Sequence, residues 1–191
     1  VIVGTGTLSR DDVVEVLGRD VWRSSKNLTS MPHSGTFWIA FDEGFYFPER
    51  KSPLRSVNFT GLIIVMADED EDGFDRGRPL SRIAPTQEIA DAVVRHLLDI
   101  EEAAGRYIVP VHCMQGAYRS GAVVQWLVSD FGIQEDKTSR RLLNSPTSLT
   151  YNKAFLRMLK TAADRLANPV MADRIRRHRA LSGLAEEHQL M

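Results

Sequence analysis

A single cysteine, Cys113, stands among 191 residues, so no disulfide can form within the chain and a reducing compartment is the expected setting. Neither sign of charge dominates. The 24 Lys and Arg against 25 Asp and Glu remove the electrostatic basis for general nucleic-acid binding. No apolar run reaches the length of a membrane span, so no membrane partner is expected, and no signal-peptide pattern opens the chain. Cytoplasmic residence is the expectation, with a secreted effector handled by dedicated export machinery as the alternative. The sequence lacks internal repeats and low-complexity tracts. It also lacks a tight His, Cys and Asp cluster at metal-ligand spacing, so no metal and no other cofactor is expected. What is present is 43% hydrophobic residues, enough to bury one substantial core in one compact domain.

Patterning along the chain reads as alternating strands and helices. Val1-Ile2-Val3 predicts a short strand ending at Gly4 and Gly6. Ser9 then caps a helix with Asp11 and Asp12 in its first turn and Val13, Val14, Val16 and Leu17 behind them. Between Trp22 and Arg55 the pattern is least legible, with strands expected at residues 37–41 and 45–47. Residues 58–66 predict a buried strand of the continuous-apolar kind found in parallel sheets. The acidic, glycine-containing stretch 68–82 reads as a loop. Pro85 and Thr86 open a helix whose stripe is Ile89, Val93, Leu97, Ile100 and Ala104, with Glu88, Asp91, Arg95 and Asp99 facing water and Gly105 ending it. Residues 107–111 predict the next strand, and helical runs follow around 137–143 and 152–166. The tail contains Arg174, Arg176, Arg177 and Arg179, expected as a solvated or partner-facing helix. This order is the grammar of an α/β fold with a central, mostly parallel sheet flanked by helices, whose ligands sit at the carboxyl ends of the strands.

The chemistry concentrates where the strand at 107–111 runs into His112-Cys113-Met114-Gln115-Gly116-Ala117-Tyr118-Arg119-Ser120-Gly121, followed by an apolar helical run. The amides of residues 114 to 119 can curl around a tetrahedral oxyanion, with the following helix pointing its positive end at the same spot. Arg119 can fork two hydrogen bonds onto phosphate oxygens. Together these favour the ionised form of a thiol at the loop's centre. A lone cysteine is ordinarily a small buried apolar residue. His immediately before it, Arg six positions on and Ser next reverse that reading.

His-Cys, five residues, Arg, Ser resembles the signature of the cysteine-dependent protein tyrosine phosphatase superfamily, in the form carried by its dual-specificity and small bacterial tyrosine phosphatase branch. Ser139-Arg140-Arg141 and Asn152-Lys153-Ala154-Phe155-Leu156 extend the resemblance, as do the strand, acidic loop and Ala-Pro helix from Gly61 onward. It covers residues 58 to about 166. The domain division expected from it is a catalytic core at 58–167, an N-terminal part of the same domain at 1–57 and a basic helical tail at 168–191.

The resemblance implies a tyrosine phosphatase-like fold and a two-step reaction. The Cys113 thiolate attacks phosphorus, while Arg119 and the amides of Met114, Gln115, Gly116, Ala117, Tyr118 and Arg119 hold the phosphate. It further implies that Ser120 hydrogen-bonds the departing thiolate, that His112 orients the loop, and that Asn152 braces it. A helix-start role for Ser120 and a plain N-cap for Asn152 are the competing readings. The general acid is expected on the acidic loop. Asp68 stands first because it follows the strand most closely, then Asp70 and Asp72, with the looser spacing to the cysteine favouring Asp72 or Asp75. Mutual repulsion among these carboxylates favours the protonated form of one of them.

Two departures from the family pattern bear on substrate. Tyr118 stands just before the arginine, where glycine or serine is common, and its ring is expected to narrow the pocket mouth, to stack against an aromatic substrate or to pack against the acidic loop. Met114, Gln115 and Ala117 bring no positive charge, which disfavours a highly anionic lipid headgroup and leaves a phosphorylated protein, phosphotyrosine first, as the expected substrate. The rival readings are hydrolysis of RNA 5′ ends or of a small phosphorylated metabolite, and a non-catalytic phosphoprotein-binding module.

Overall fold

The computed structural model describes residues 1–18, 35–42, 51–56, 58–66, 84–135, 151–166, 169 and 172–174. The strands are β1 (Ile2–Leu8), β2 (Gly35–Thr36), β3 (Trp38–Asp42), β4 (Gly61–Val65), β5 (Tyr107–His112) and β6 (Gln134–Glu135). The helices are α1 (Arg10–Gly18), α2 (Gln87–Glu102), α3 (Tyr118–Phe131) and α4 (Lys153–Leu166), with a 3₁₀ turn at Pro53–Ser56. The sheet runs β4-β3-β5-β1-β6, with β2 also beside β5, and every pairing among the described residues is parallel. The chain is thus an α/β protein with a parallel sheet flanked by helices. No helix among the described residues is long and apolar enough to cross a membrane.

The sheet is two-sided, and β3 shows why. Ile39 and Phe41 join one core with Val93, Leu97, Trp126, Phe155 and Leu159, where Phe41 meets Phe155 edge-on at 5.7 Å between ring centroids. Trp38 and Ala40 join the other with Leu8, Val13 and Leu54, under α1 and the 3₁₀ turn. That alternation is the two-residue period of a strand buried on both faces. β1 changes faces part-way: Ile2 belongs to the first core and Leu8 to the second, across a register shift between Ile2 and Gly4.

Several expected boundaries move. β1 does not stop at Gly4 or Gly6. It continues to Leu8 because it lies between β5 and β6, where ladder bonds on both sides outweigh the missing side chains. The strand expected at 37–41 is β3 at 38–42, and a separate short piece, β2, precedes it. Thr36 pairs with Ile108 and Ile39 with Val111, and between them β5 carries Pro110, which has no N–H to give the ladder. β4 is shorter than 58–66 and only half-buried, since it occupies the sheet's edge among the described residues. α2 is capped by Thr86, whose Oγ1 accepts from Ile89 N at 3.3 Å, but it ends at Glu102, so Ala104 lies outside it and is exposed. Gly105 takes its positive φ beyond the helix, in the turn to β5. Asp91, expected in water, is mostly buried in an ion pair with Arg165. Arg174, expected on a solvated helix, is instead bound to Glu101 and donates to the Ile2 carbonyl at 3.1 Å. The expected elements at 45–47 and 137–143, and Arg176, Arg177 and Arg179, lie outside the described residues.

Register places the site. Leu8 stands opposite His112, Ala40 opposite His112, and Asp42 opposite Val65. The carboxyl ends of β1, β3, β4 and β5 therefore fall along one edge of the sheet, and the segment expected to supply only a poorly legible flank, 1–57, contributes two of the strands there.

Candidate active site

Tyr107–His112 is apolar until its last residue, so the strand stays in the sheet and releases the chain where His112 and Cys113 reach the carboxyl edge. α3 begins at Tyr118, and residues 113–117 form the turn between them. The turn has a floor and a rim. Cys113 (1% exposed) and Arg119 (2% exposed) are buried along with Gly116 and Ser120, whereas Met114 (38%) and Tyr118 (40%) are exposed together with Gln115. Ala117 is half-buried.

Three carbonyls of this turn and that of the first residue of α3 are held by groups outside the turn. His112 Nδ1 lies 3.4 Å from Cys113 O, Arg10 N donates to Met114 O at 3.2 Å, Gly121 N to Ala117 O at 2.6 Å, and Asn152 N to Tyr118 O at 3.0 Å. In a trans peptide the N–H of the next residue points opposite to the carbonyl. The amides of Met114, Gln115, Tyr118 and Arg119 are thereby aimed away from those four partners, and none of the amides of residues 114–117 donates a hydrogen bond among the described residues. The start of α3 adds to this. Its N-cap, Ala117, offers no side-chain hydrogen bond, which leaves the first-turn N–H groups and the positive end of the helix for another acceptor.

Gly116 is required by two constraints at once. Its φ is +68°, and a Cβ there would lie 2.7 Å from Ser9 N and 2.8 Å from Leu8 C. The junction of β1 and α1 is the wall of the turn: Cys113 N donates to Leu8 O at 3.3 Å, next to the Arg10 contact. That junction is itself fixed by a capping box, in which Asp12 N donates to Ser9 Oγ at 3.1 Å and Ser9 N to Asp12 Oδ2 at 2.7 Å.

Cys113 Sγ lies 3.2 Å from Ser120 Oγ. The hydroxyl thus lies beside the sulfur in the first turn of α3. Asn152 makes two contacts, by different atoms. Its side-chain Oδ1 accepts from Phe155 N at 2.9 Å and caps α4, while its main-chain N–H holds Tyr118. Arg119 Nη1 donates to Met66 O at 2.7 Å. Met66 follows β4 and precedes the acidic stretch, so the loop's guanidinium reaches the point from which that stretch departs. Asp68, Asp70, Asp72 and Asp75 lie outside the described residues.

His112 is buried, and burial pushes it down to about 4, against smaller opposing effects of the Cys113 carbonyl and Asp42. It is therefore neutral at neutral pH. Besides the Cys113 carbonyl its partner is Ser52, with Oγ 2.7 Å from Nε2. Ser52 was invisible as a site residue, as were Arg10, Asp42 and Arg55. Asp42 is fully buried at the end of β3, bonded to Arg55 through its carboxylate and to Met66 N (3.2 Å) through its carbonyl. The only sequence signal was Asp directly after the apolar Trp38-Ile39-Ala40-Phe41, a charge at a strand's carboxyl end.

No protein-family model matches this chain, and no curated protein matches it either.

Proposed function

We propose that this protein is a phosphomonoester hydrolase of the tyrosine phosphatase-like fold that works through a cysteinyl-phosphate, with protein phosphotyrosine as its favoured substrate. The observation that carries the reading is the pairing of Cys113 Sγ with Ser120 Oγ at 3.2 Å, at the start of a helix whose preceding turn has its carbonyls held outward. A sulfur kept only for packing needs neither a hydroxyl partner nor a set of outward-turned peptides.

In the first step the Cys113 thiolate forms a bond to phosphorus as the bond to the leaving oxygen breaks. A carboxylic acid of the 68–75 stretch gives its proton to that oxygen. Arg119 and the turn's amides neutralise charge on the equatorial oxygens. In the second step water loses a proton to the same carboxylate and attacks phosphorus. Inorganic phosphate leaves, and the thiolate departs toward the Ser120 hydroxyl. Met114 and Tyr118, the exposed apolar rim, offer a phosphotyrosine ring apolar contact on its way to the sulfur.

Hydrolysis of an aryl phosphate by wild type and Cys113→Ser tests the mechanism, and undiminished turnover in the serine variant would refute it. Asp→Asn variants at 68, 70, 72 and 75, each assayed with a good and a poor leaving group, identify the acid by selective loss with the poor one. Phosphotyrosine and phosphothreonine peptides then rank the substrates. The RNA reading draws less support, since Arg174 of the basic tail is engaged with Glu101 and the Ile2 carbonyl at the opposite edge of the sheet. A binding-only module has no use for the Ser120–Cys113 pair.

A further inference from the structure

Three hydrogen bonds tie the short 51–55 segment to the neighbourhood of Cys113 at separate points. Arg10 Nε donates to Lys51 O at 3.3 Å, and Arg10 is the residue whose amide holds Met114 O. Ser52 Oγ meets His112 Nε2 at 2.7 Å. Arg55 pairs with the buried carboxylate of Asp42, whose own carbonyl receives Met66 N, and Met66 O receives Arg119. A continuous path therefore runs from the first residue of the turn to the first turn of α3: Cys113 carbonyl, His112, Ser52, Arg55, Asp42, Met66, Arg119.

The tautomer of His112 follows from its partners. A carbonyl oxygen only accepts, so the bond to Cys113 O requires the proton on Nδ1. Nε2 is then an acceptor, and the Ser52 hydroxyl must donate to it. Ser52 is placed to do so because its Oγ also accepts from Leu54 N at 3.2 Å, which occupies a lone pair and directs the hydroxyl hydrogen elsewhere. Ser52 is buried, so water does not substitute freely for it. Asp42, Arg119 and Arg10 are the charged groups that act on the ring, two cations against one anion.

We infer that Ser52 is a positioning residue for Cys113: by donating to His112 Nε2 it fixes the ring tautomer that holds the Cys113 carbonyl outward and so turns the Met114 amide toward the sulfur and its phosphate. The Arg55–Asp42 pair anchors the segment that carries it. The inference rests on the functional reading above, and it goes further in giving the 51–55 segment a task in thiolate stabilisation. Without the Ser52 donor, Nε2 is left a buried acceptor with no partner, the preference for the Nδ1–H ring weakens, and the ring and the first peptide of the turn are held less firmly.

Because Cys113 is the sole cysteine, its alkylation by iodoacetamide across pH reads this one sulfur without any assay of turnover. Ser52→Ala should move the midpoint of that profile upward by about 0.5–1 pH unit, and Ser52→Thr, which keeps the hydroxyl, should restore it. A Ser52→Ala profile that superimposes on wild type, or an equal shift in both variants, would overturn the inference. Nitrogen-15 spectra of the wild-type chain decide the matter even if the variants fold poorly: Nδ1–H is expected for His112, and an Nε2–H ring excludes the proposed relay. A chain that fails to hydrolyse aryl phosphate would defeat the functional reading while leaving these two readouts intact.

Discussion

Arg119 Nη1 donates to the carbonyl oxygen of Met66, 53 positions earlier in sequence, at 2.7 Å. The bond sets the guanidinium between the turn around Cys113 and the carboxyl end of β4. A lysine at 119 has one compact ammonium in place of a planar fork and cannot hold Met66 and two phosphate oxygens together. Arg119→Lys should lower kcat by about 10²–10³-fold, the size of losing one preorganised charge-stabilising donor. Stopped-flow hydrolysis of an aryl phosphate measures it.

The Ser120 hydroxyl contributes most in the step that frees the sulfur, since only there does negative charge return to Sγ, 3.2 Å away. Ser120→Ala should therefore slow breakdown of the cysteinyl-phosphate more than its formation. A hydrogen bond to a charged group is worth about 1.5–3 kcal/mol, which corresponds to roughly 10–150-fold in that step. Rapid-quench experiments should show a burst of released alcohol followed by a slow steady state, and a variant without a burst argues against this division of labour.

Gly116 is a further test of the turn's architecture. Gly116→Ala forces a side chain into φ +68° and onto the Leu8–Ser9 backbone at less than 3 Å. Neither backbone can withdraw without breaking the Cys113 N–Leu8 O or Arg10 N–Met114 O bond. A loss of about 1–3 kcal/mol is expected in urea unfolding, together with a fall in activity.

These positions differ in how openly the sequence announces them. Cys113, Arg119 and Ser120 sit in one contiguous run, and Ser9, Thr86 and Asn152 announce helix starts by residue type, so local pattern suffices for all of them. Ser52, Asp42 and Arg55 join the site only because parallel strands bring Asp42, Val65 and His112 to one edge, a long-range pairing that no window of sequence displays. β1 runs past its local pattern to Leu8 for the same reason. Glycine within a strand weakens it locally, and only the neighbours on both sides make Gly4 and Gly6 tolerable. The split between β2 and β3 needed the knowledge that Pro110 would be their partner strand's silent position.

His112 makes the fold sensitive to acid. Burial holds it down to about 4, whereas an unfolded chain binds the proton near the ordinary value of 6.5. Between those two values the unfolded state carries more protons than the native one, so stability falls as pH drops from 6.5 toward 4 and levels off below. The full swing from this one ring is on the order of 3 kcal/mol. Replacing His112 with Asn removes the titrating group while keeping a polar side chain of similar reach. Urea midpoints for wild type should decline between pH 6.5 and 4.5 more steeply than those of His112→Asn, whose remaining slope reports the carboxylates. Parallel slopes would mean that the native ring accepts its proton as readily as the unfolded one, which contradicts a buried imidazole held between the Cys113 carbonyl and the Ser52 hydroxyl.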